Sequence, residues 1–136
     1  MSIQPPPLPG KKILVVDDDA VVVRALSFKL RGKGYQVLTA IDGSEAVASI
    51  RKDRPDLVLL DIHFPPDVGG VSWDGFRVIE WVHHMDEEQR IPVVVITGGK
   101  PEEYEQRSEA IGAAAFFHKP INHDELLKTI HKLLEN

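Results

Sequence analysis

The sequence predicts an α/β fold: a five-stranded parallel sheet, doubly wound, with five helices shared between its two faces. Three observations predict it. Short runs rich in Val, Leu and Ile or in small and aromatic residues recur along the chain, among them ILVV, LVLL, VVVI and AAAFF. They are continuous rather than alternating, the pattern of strands covered on both faces. Between them lie segments with apolar residues at helical spacing, and such alternation means βαβ units joined by right-handed crossovers.

The elements follow in order. Ile13–Val16 reads as the first strand. Ala20–Arg31 reads as a helix with Val22, Val23, Leu26 and Leu30 on or near one face, stopped by Gly32 and Gly34. Tyr35–Thr39 is the second strand, and Ser44–Arg51 a helix carrying Ala46, Val47 and Ile50 that ends before Pro55. Leu57–Leu60 is the third strand, and Phe76–Met85 a helix that turns Phe76, Ile79 and Val82 inward. Val93–Ile96 is the fourth strand, entered from Pro92, where a missing donor costs least. Pro101–Ile111 is a helix, with Pro101 suited to the first helical position. Ala114–Phe117 is the fifth strand and His123–Leu134 the last helix. Asn122 reads as that helix's N-cap, with Glu125 completing a capping box and Leu126, Leu127, Ile130, Leu133 and Leu134 forming its buried stripe. Residues 1–10, with PPPLP, are too proline-rich to join a ladder and read as a tail or linker before a domain spanning 11–136.

Composition narrows the class. The chain has 136 residues, 43% of them hydrophobic and 27% charged, which suits one soluble domain with its own core. A net charge of −5 with both signs scattered gives no reason to expect nucleic acid or a membrane surface as partner. No apolar run approaches the roughly 20 residues of a membrane span. The absence of cysteine excludes disulfides and thiolate chemistry, and a cytoplasmic location is the expectation.

Four of the strands end in groups suited to phosphoryl chemistry, and parallel strands present ligand sites at their carboxyl ends. The first runs into Asp17, Asp18 and Asp19. Carboxylates this close repel, and a hard divalent cation between some of them and Asp61 would relieve the repulsion; Mg²⁺ fits best. An acidic turn can also simply cap the following helix, the role expected of Asp19. Asp61, closing LVLL, can be the cation's partner or a nucleophile forming an acyl phosphate. Thr97 closes VVVI with a hydroxyl able to donate to a phosphoryl oxygen, and Gly98 and Gly99 allow close backbone approach. Lys119 offers a compact ammonium, and a cis bond to Pro120 would aim it over the site.

With those residues placed, the chain resembles the receiver domain of bacterial two-component response regulators, CheY-like in kind, over about residues 11–135. The resemblance rests on an acidic pair after the first strand, Asp after the third, Thr after the fourth and Lys-Pro after the fifth. GYQV, the DGSEA turn and the IGAAAFF run agree with it. It implies a flavodoxin-like sheet of order 2-1-3-4-5, with Asp61 as phosphoacceptor. It also implies Mg²⁺, or Mn²⁺ in its place, held by Asp17, Asp18, Asp61 and the backbone carbonyl of His63. Thr97 would be the switch hydroxyl, Lys119 the phosphoryl contact and Phe116 the aromatic switch. The implied partner is a sensor histidine kinase or a phosphotransfer protein. The implied output is a remodelled face of the fourth helix, fifth strand and fifth helix, which could also pair two copies as a homodimer. Such a chain is a signalling switch with self-phosphotransfer and autodephosphorylation, not an enzyme in the usual sense.

Two other readings stay open at this level. Asp17-Asp18-Asp19-Ala20-Val21 after a strand also resembles the opening of haloacid-dehalogenase-type phosphatases, although the chain is short for them and no acidic pair follows a later strand. A receiver-like fold can also act purely as a binding module, but such modules usually lack a site residue and none is missing here. His83, His84, His118, His123 and His131 read as exposed polar positions. Phe117 reads as core, and PEEYEQRSEA as a highly charged fourth helix with few apolar anchors. The individuality of the chain lies after Asp61, where PDVGGVSW delays Asp74-Gly75 by roughly six residues, a cheap change for a loop. His63, two residues past the acceptor, can order or block an attacking water. Shortening Val68–Trp73 is expected to change partner-dependent phosphotransfer or the lifetime of the Asp61 phosphate; unchanged values of both would refute a functional loop.

Overall fold

The computed structural model describes residues 10–62, 75–85, 91–98 and 101–135. Among them five strands and five helices alternate: β1 Lys12–Val16, α1 Ala20–Gly32, β2 Gln36–Ala40, α2 Gly43–Asp53, β3 Leu57–Asp61, α3 Gly75–Met85, β4 Val93–Thr97, α4 Pro101–Ala110, β5 Ala115–His118 and α5 His123–Leu134. The strands form one parallel sheet of order β2-β1-β3-β4-β5, as expected. Every residue of β3 and β4 is buried, the consequence of a central position with both faces covered.

Two apolar layers sandwich the sheet. On one side Ile13, Val15, Leu57, Leu59, Val94 and Ile96 meet Leu26 and Leu30 of α1 and Leu126, Ile130 and Leu134 of α5. On the other, Leu14, Val16, Val58, Leu60, Val93 and Val95 meet Ala46 and Ile50 of α2 and Phe76, Val78, Ile79 and Val82 of α3. Each fully buried side chain of this size contributes roughly 1.5–3 kcal/mol, so these layers hold the sheet together.

The helix ends show where local chemistry shifts the boundaries read from sequence. Asp19 caps α1, accepting from the Val21 amide at 2.9 Å. The helix continues through Gly32, and the chain turns at Gly34, whose φ of +92° is open to glycine. Tyr35 is buried but belongs to this turn, its amide donating to the Leu30 carbonyl, so β2 starts at Gln36. Asp42 caps α2 through the Glu45 amide at 2.8 Å, and the helix runs on to Asp53 before Arg54 turns left-handed at φ +49°. Asn122 caps α5 by accepting from the Glu125 amide. β5 extends to His118 because it pairs with Thr97 of β4.

Gly75 positions the site. A Cβ there would stand 2.6 Å from the Cα of Ile62, the residue after Asp61. The backbone at the start of α3 therefore lies directly against the end of β3, with no side chain able to give way. Gly75→Ala is expected to cost about 1–3 kcal/mol through this overlap, seen as a thermal midpoint several degrees lower; an unchanged midpoint would contradict the close approach.

Candidate functional site

Sheet register brings the chemistry to one edge. Val16 pairs with Leu60, so the next residues, Asp17 and Asp61, leave neighbouring strands side by side. Asp61 pairs with Ile96 and Thr97 with His118, which brings Thr97 and Lys119 to the same edge. Asp17 and Asp61 are only 2% and 4% exposed, Thr97 is fully buried and Asp18 is exposed.

Asp17 is held at both ends. Its amide donates to the Ala40 carbonyl at 3.1 Å, and its Oδ1 accepts from the Asp19 amide at 2.9 Å. Its Oδ2 accepts from Lys119 Nζ at 3.1 Å, and the same ammonium donates to Asp61 Oδ2 at 3.1 Å. The Lys119 amide donates to the Thr97 carbonyl at 2.8 Å, and the Lys119–Pro120 peptide is cis. A Cβ on Gly98 would meet the Lys119 stem only at ordinary contact distance, 3.8 Å.

Burial pushes the Asp17 pKa up, and the Asp61 charge adds to this. The Asp19 amide and Lys119 oppose it without cancelling it. For Lys119 burial acts downward, but hydrogen bonds and charge from Asp17 and Asp61 outweigh it and hold the ammonium above its ordinary pKa. The Lys119 ammonium bridges two of the acids, and carboxylate oxygens of Asp17, Asp18 and Asp61 lie within 4.8 Å of one another. Like charges about 4 Å apart repel by about 4 kcal/mol at an effective dielectric of 20. The donor set is all hard oxygen, so a hard divalent cation fits it.

Thr97 follows Val95 by two residues, and Phe116 pairs with Val95. Strand alternation places Thr97, Val95 and Phe116 on one face of the sheet. Phe116 is half-buried against the α2–α3 layer, whereas Phe117 packs into the α1–α5 layer. The two aromatics are thus separated, and only Phe116 lies on the Thr97 side.

Some expectations need correcting or fall elsewhere. His83, His123 and His131 are not exposed but half-buried; His83 Nδ1 lies 3.0 Å from the Ile111 carbonyl and His131 Nδ1 lies 3.0 Å from Glu135 Oε1. His63, Gly99 and the 66–73 segment lie outside the described residues. Sequence reasoning missed the bridging of two acids by Lys119, since nothing in a strand-end lysine states its partners. It also missed Arg107, whose guanidinium sits 3.9 Å from the Phe76 ring centroid. No described helix is long and apolar enough to cross a membrane.

A doubly wound sheet with carboxylates, a hydroxyl and an ammonium at the ends of β1, β3, β4 and β5 defines a receiver-type domain. Comparison with known proteins agrees: residues 13–131 match the response regulator receiver domain family. The chain is 33% identical to protein PilH of Pseudomonas aeruginosa, over 90% of this chain and 97% of that one. It is also 33% identical to sporulation initiation phosphotransferase F of Bacillus subtilis, over 92% and 94%. Among solved structures it resembles chemotaxis protein CheY4 of Vibrio cholerae, with a TM-score of 0.79 and 33% identity over 91% of this chain and 98% of that one. A CheY-like receiver domain protein of Methanospirillum hungatei gives a TM-score of 0.81 and 30% identity over 92% and 94%. The chain belongs to the response regulator receiver domain family, whose members are signalling switches.

Because the folded Asp17 pKa is raised, the folded state holds this proton more tightly than the unfolded chain does. The associated stability is complete below about pH 4 and is lost as pH rises through the raised value. Asp17→Asn in protein free of divalent cations is therefore expected to gain stability over the wild type at pH 7 relative to pH 4. Thermal midpoints at the two pH values check this; an equal difference at both would show that Asp17 titrates normally.

Proposed function

We propose that this domain takes a phosphoryl group from a phosphohistidine of a sensor kinase or phosphotransfer protein onto Asp61. A carboxylate oxygen of Asp61 forms the new P–O bond as the P–N bond breaks, and the electron pair leaves with the donor imidazole. The observation that carries this reading is the Lys119 ammonium shared between Asp17 and Asp61 at 3.1 Å. Asp17 has one oxygen on the Asp19 amide and the other on Lys119, the posture of a fixed ligand and not of an attacking group. That favours Asp61 as acceptor over the phosphatase alternative, in which the acid after the first strand attacks.

Asp17, Asp18 and Asp61 would hold Mg²⁺ or Mn²⁺, and the backbone carbonyl of His63 completes the proposed set. When bound, the cation neutralises charge on the phosphoryl oxygens and the acceptor. Lys119 swings from the carboxylates onto a phosphoryl oxygen. The Thr97 carbonyl is tied to the Lys119 amide, so its response is a rotation of the side chain toward the phosphoryl group. Phe116, on the same face, follows into the space Thr97 leaves. The result shifts the surface of α4, β5 and α5, where a target protein or a second copy binds. Hydrolysis of the acyl phosphate resets the state.

The donor needs a place to dock beside Asp61. Val21 and Phe28, 76% and 80% exposed, lie two turns apart on α1 with exposed Ala25 between them. This apolar stripe begins just past Asp18 and suits the helices of a phosphohistidine-bearing partner, in the cytoplasm where such donors work.

Incubation with Mg²⁺ and a small phosphodonor is expected to label the wild type on Asp61. Asp61→Asn should abolish labelling, while Thr97→Ala should keep it within a few-fold yet lose the accompanying change in Trp81 fluorescence. Label on Asp17 would instead establish the phosphatase-type chemistry, and no label with any donor would leave a binding module. Mg²⁺ at ten times its Kd should stabilise the wild type by about 1.4 kcal/mol and Asp17→Asn by less; equal stabilisation would remove Asp17 from the cation site.

A further inference from the structure

We propose that His83 is a positioning residue of this switch: it clamps the α4–β5 turn to α3 and holds α4 in its resting place, against an opposing cost carried by Ser108. The proposal rests on the receiver reading above and adds residues outside the strand-end site. The described side chains of α4 give it little apolar anchorage. Of its residues 105–110 only Ser108 is buried, and Glu105, Gln106, Arg107, Glu109 and Ala110 are exposed. Helices elsewhere in the fold are held by buried Leu, Ile, Val or Phe.

Beside the packing of Ile111 and Ala113 against the α2–α3 layer, a polar contact from α3 holds the end of α4. His83 Nδ1 is 3.0 Å from the Ile111 carbonyl, which can only accept, so this nitrogen carries the proton. The Cε1–Nδ1 edge of the imidazole lies against Gly112, where a Cβ would meet Cε1 at 2.8 Å. Gly112 has a φ of +93°, so glycine serves both the turn and the seat for the ring. One helical turn back, Arg107 covers the Phe76 ring at 3.9 Å. Beyond this turn the chain enters β5, which carries Phe116.

Ser108 acts the other way. It is fully buried, and its hydroxyl has no hydrogen-bond partner among the described residues. A buried hydroxyl left unpaired is costly in the state that buries it, and that cost is relieved when the helix moves and exposes it. Among the described contacts, the resting position of α4 thus sets one imidazole hydrogen bond and one cation–π contact, beside the packing of Ile111, against one unsatisfied hydroxyl. Each is small enough for phosphorylation to overturn.

The test is the apparent affinity for beryllofluoride with Mg²⁺, a phosphoryl mimic that selects the switched state. His83→Ala weakens the resting state and is expected to tighten binding roughly five-fold, whereas Ser108→Ala relieves the resting state and is expected to weaken binding by a similar factor. His83→Asn, whose Nδ2 stands where Nδ1 was, should return the affinity close to the wild-type value. Wild-type affinity in both alanine variants, or shifts of the same sign, would reduce the contacts to plain structure and overturn the proposal. A wild type that ignores beryllofluoride would fail the receiver reading instead. Amide exchange then decides the clamp alone: faster exchange at Ala113 and Ala114 in His83→Ala, restored in His83→Asn, supports it, and unchanged exchange rejects it.

Discussion

Two carboxylates buried side by side are the constraint on which the rest of this domain depends. The register of β1 against β3 makes their neighbourhood unavoidable once Val16 pairs with Leu60. Lys119, three strands along the sheet from Asp17 and about a hundred residues later, supplies an ammonium that reaches both. The bridge therefore ties the first strand of the chain to its last. Asp18 stands at the same place and adds a third carboxylate to the cluster. A fold optimised only for stability would have replaced these acids with apolar residues, since buried ion pairs rarely repay their desolvation. Carboxylates gathered this closely make the edge of the sheet a fit for a hard cation.

The two faces of the sheet answer differently to that event. The α1–α5 face is closed by long aliphatic side chains from both helices and takes Phe117 from β5. The opposite face is equally well packed under α2 and α3, but thinner under the described part of α4, where Ile111, a guanidinium on a ring and an imidazole on a carbonyl make the contacts. Thr97 and Phe116 both point to this thinner side. Few buried contacts mean low local stability, and a low-stability element next to a charge-sensitive site is where a switch can act at small cost.

The parts legible in the sequence were those governed by burial. Central strands covered on both faces have no polar alternation, so LVLL and VVVI announced themselves, and α5 matched its periodic stripe and its Asn122 cap at both ends. The site residues were legible because a parallel sheet leaves little choice about where strand ends go. The misses share a different cause. The one-residue shifts of β2 and β5 come from pairing with a neighbour, which a strand's own residues do not encode. α2 ends on Arg54 in a left-handed conformation, where sequence logic waits for glycine. His83 looked like any helix-terminal histidine, and only the fold brings Ile111 and Gly112 against it. Gly112 was the available signal, as a glycine needed for more than its turn.

Energy scales explain why the chain divides its labour this way. Charges a few ångströms apart at the strand ends interact with several kcal/mol, whereas one net hydrogen bond or an exposed cation–π contact amounts to about 1 kcal/mol. On the proposed reading, a phosphoryl group on Asp61 would recruit Lys119 away from Asp17 and draw the Thr97 hydroxyl, a change large against the described polar contacts of α4. Had α4 been seated on leucines, as α5 is by Leu126, Ile130 and Leu134, the same event would have had to break contacts of its own size. Weak polar anchorage of one helix is therefore the condition under which a single covalent change at the sheet edge can move a surface on the far side of β4.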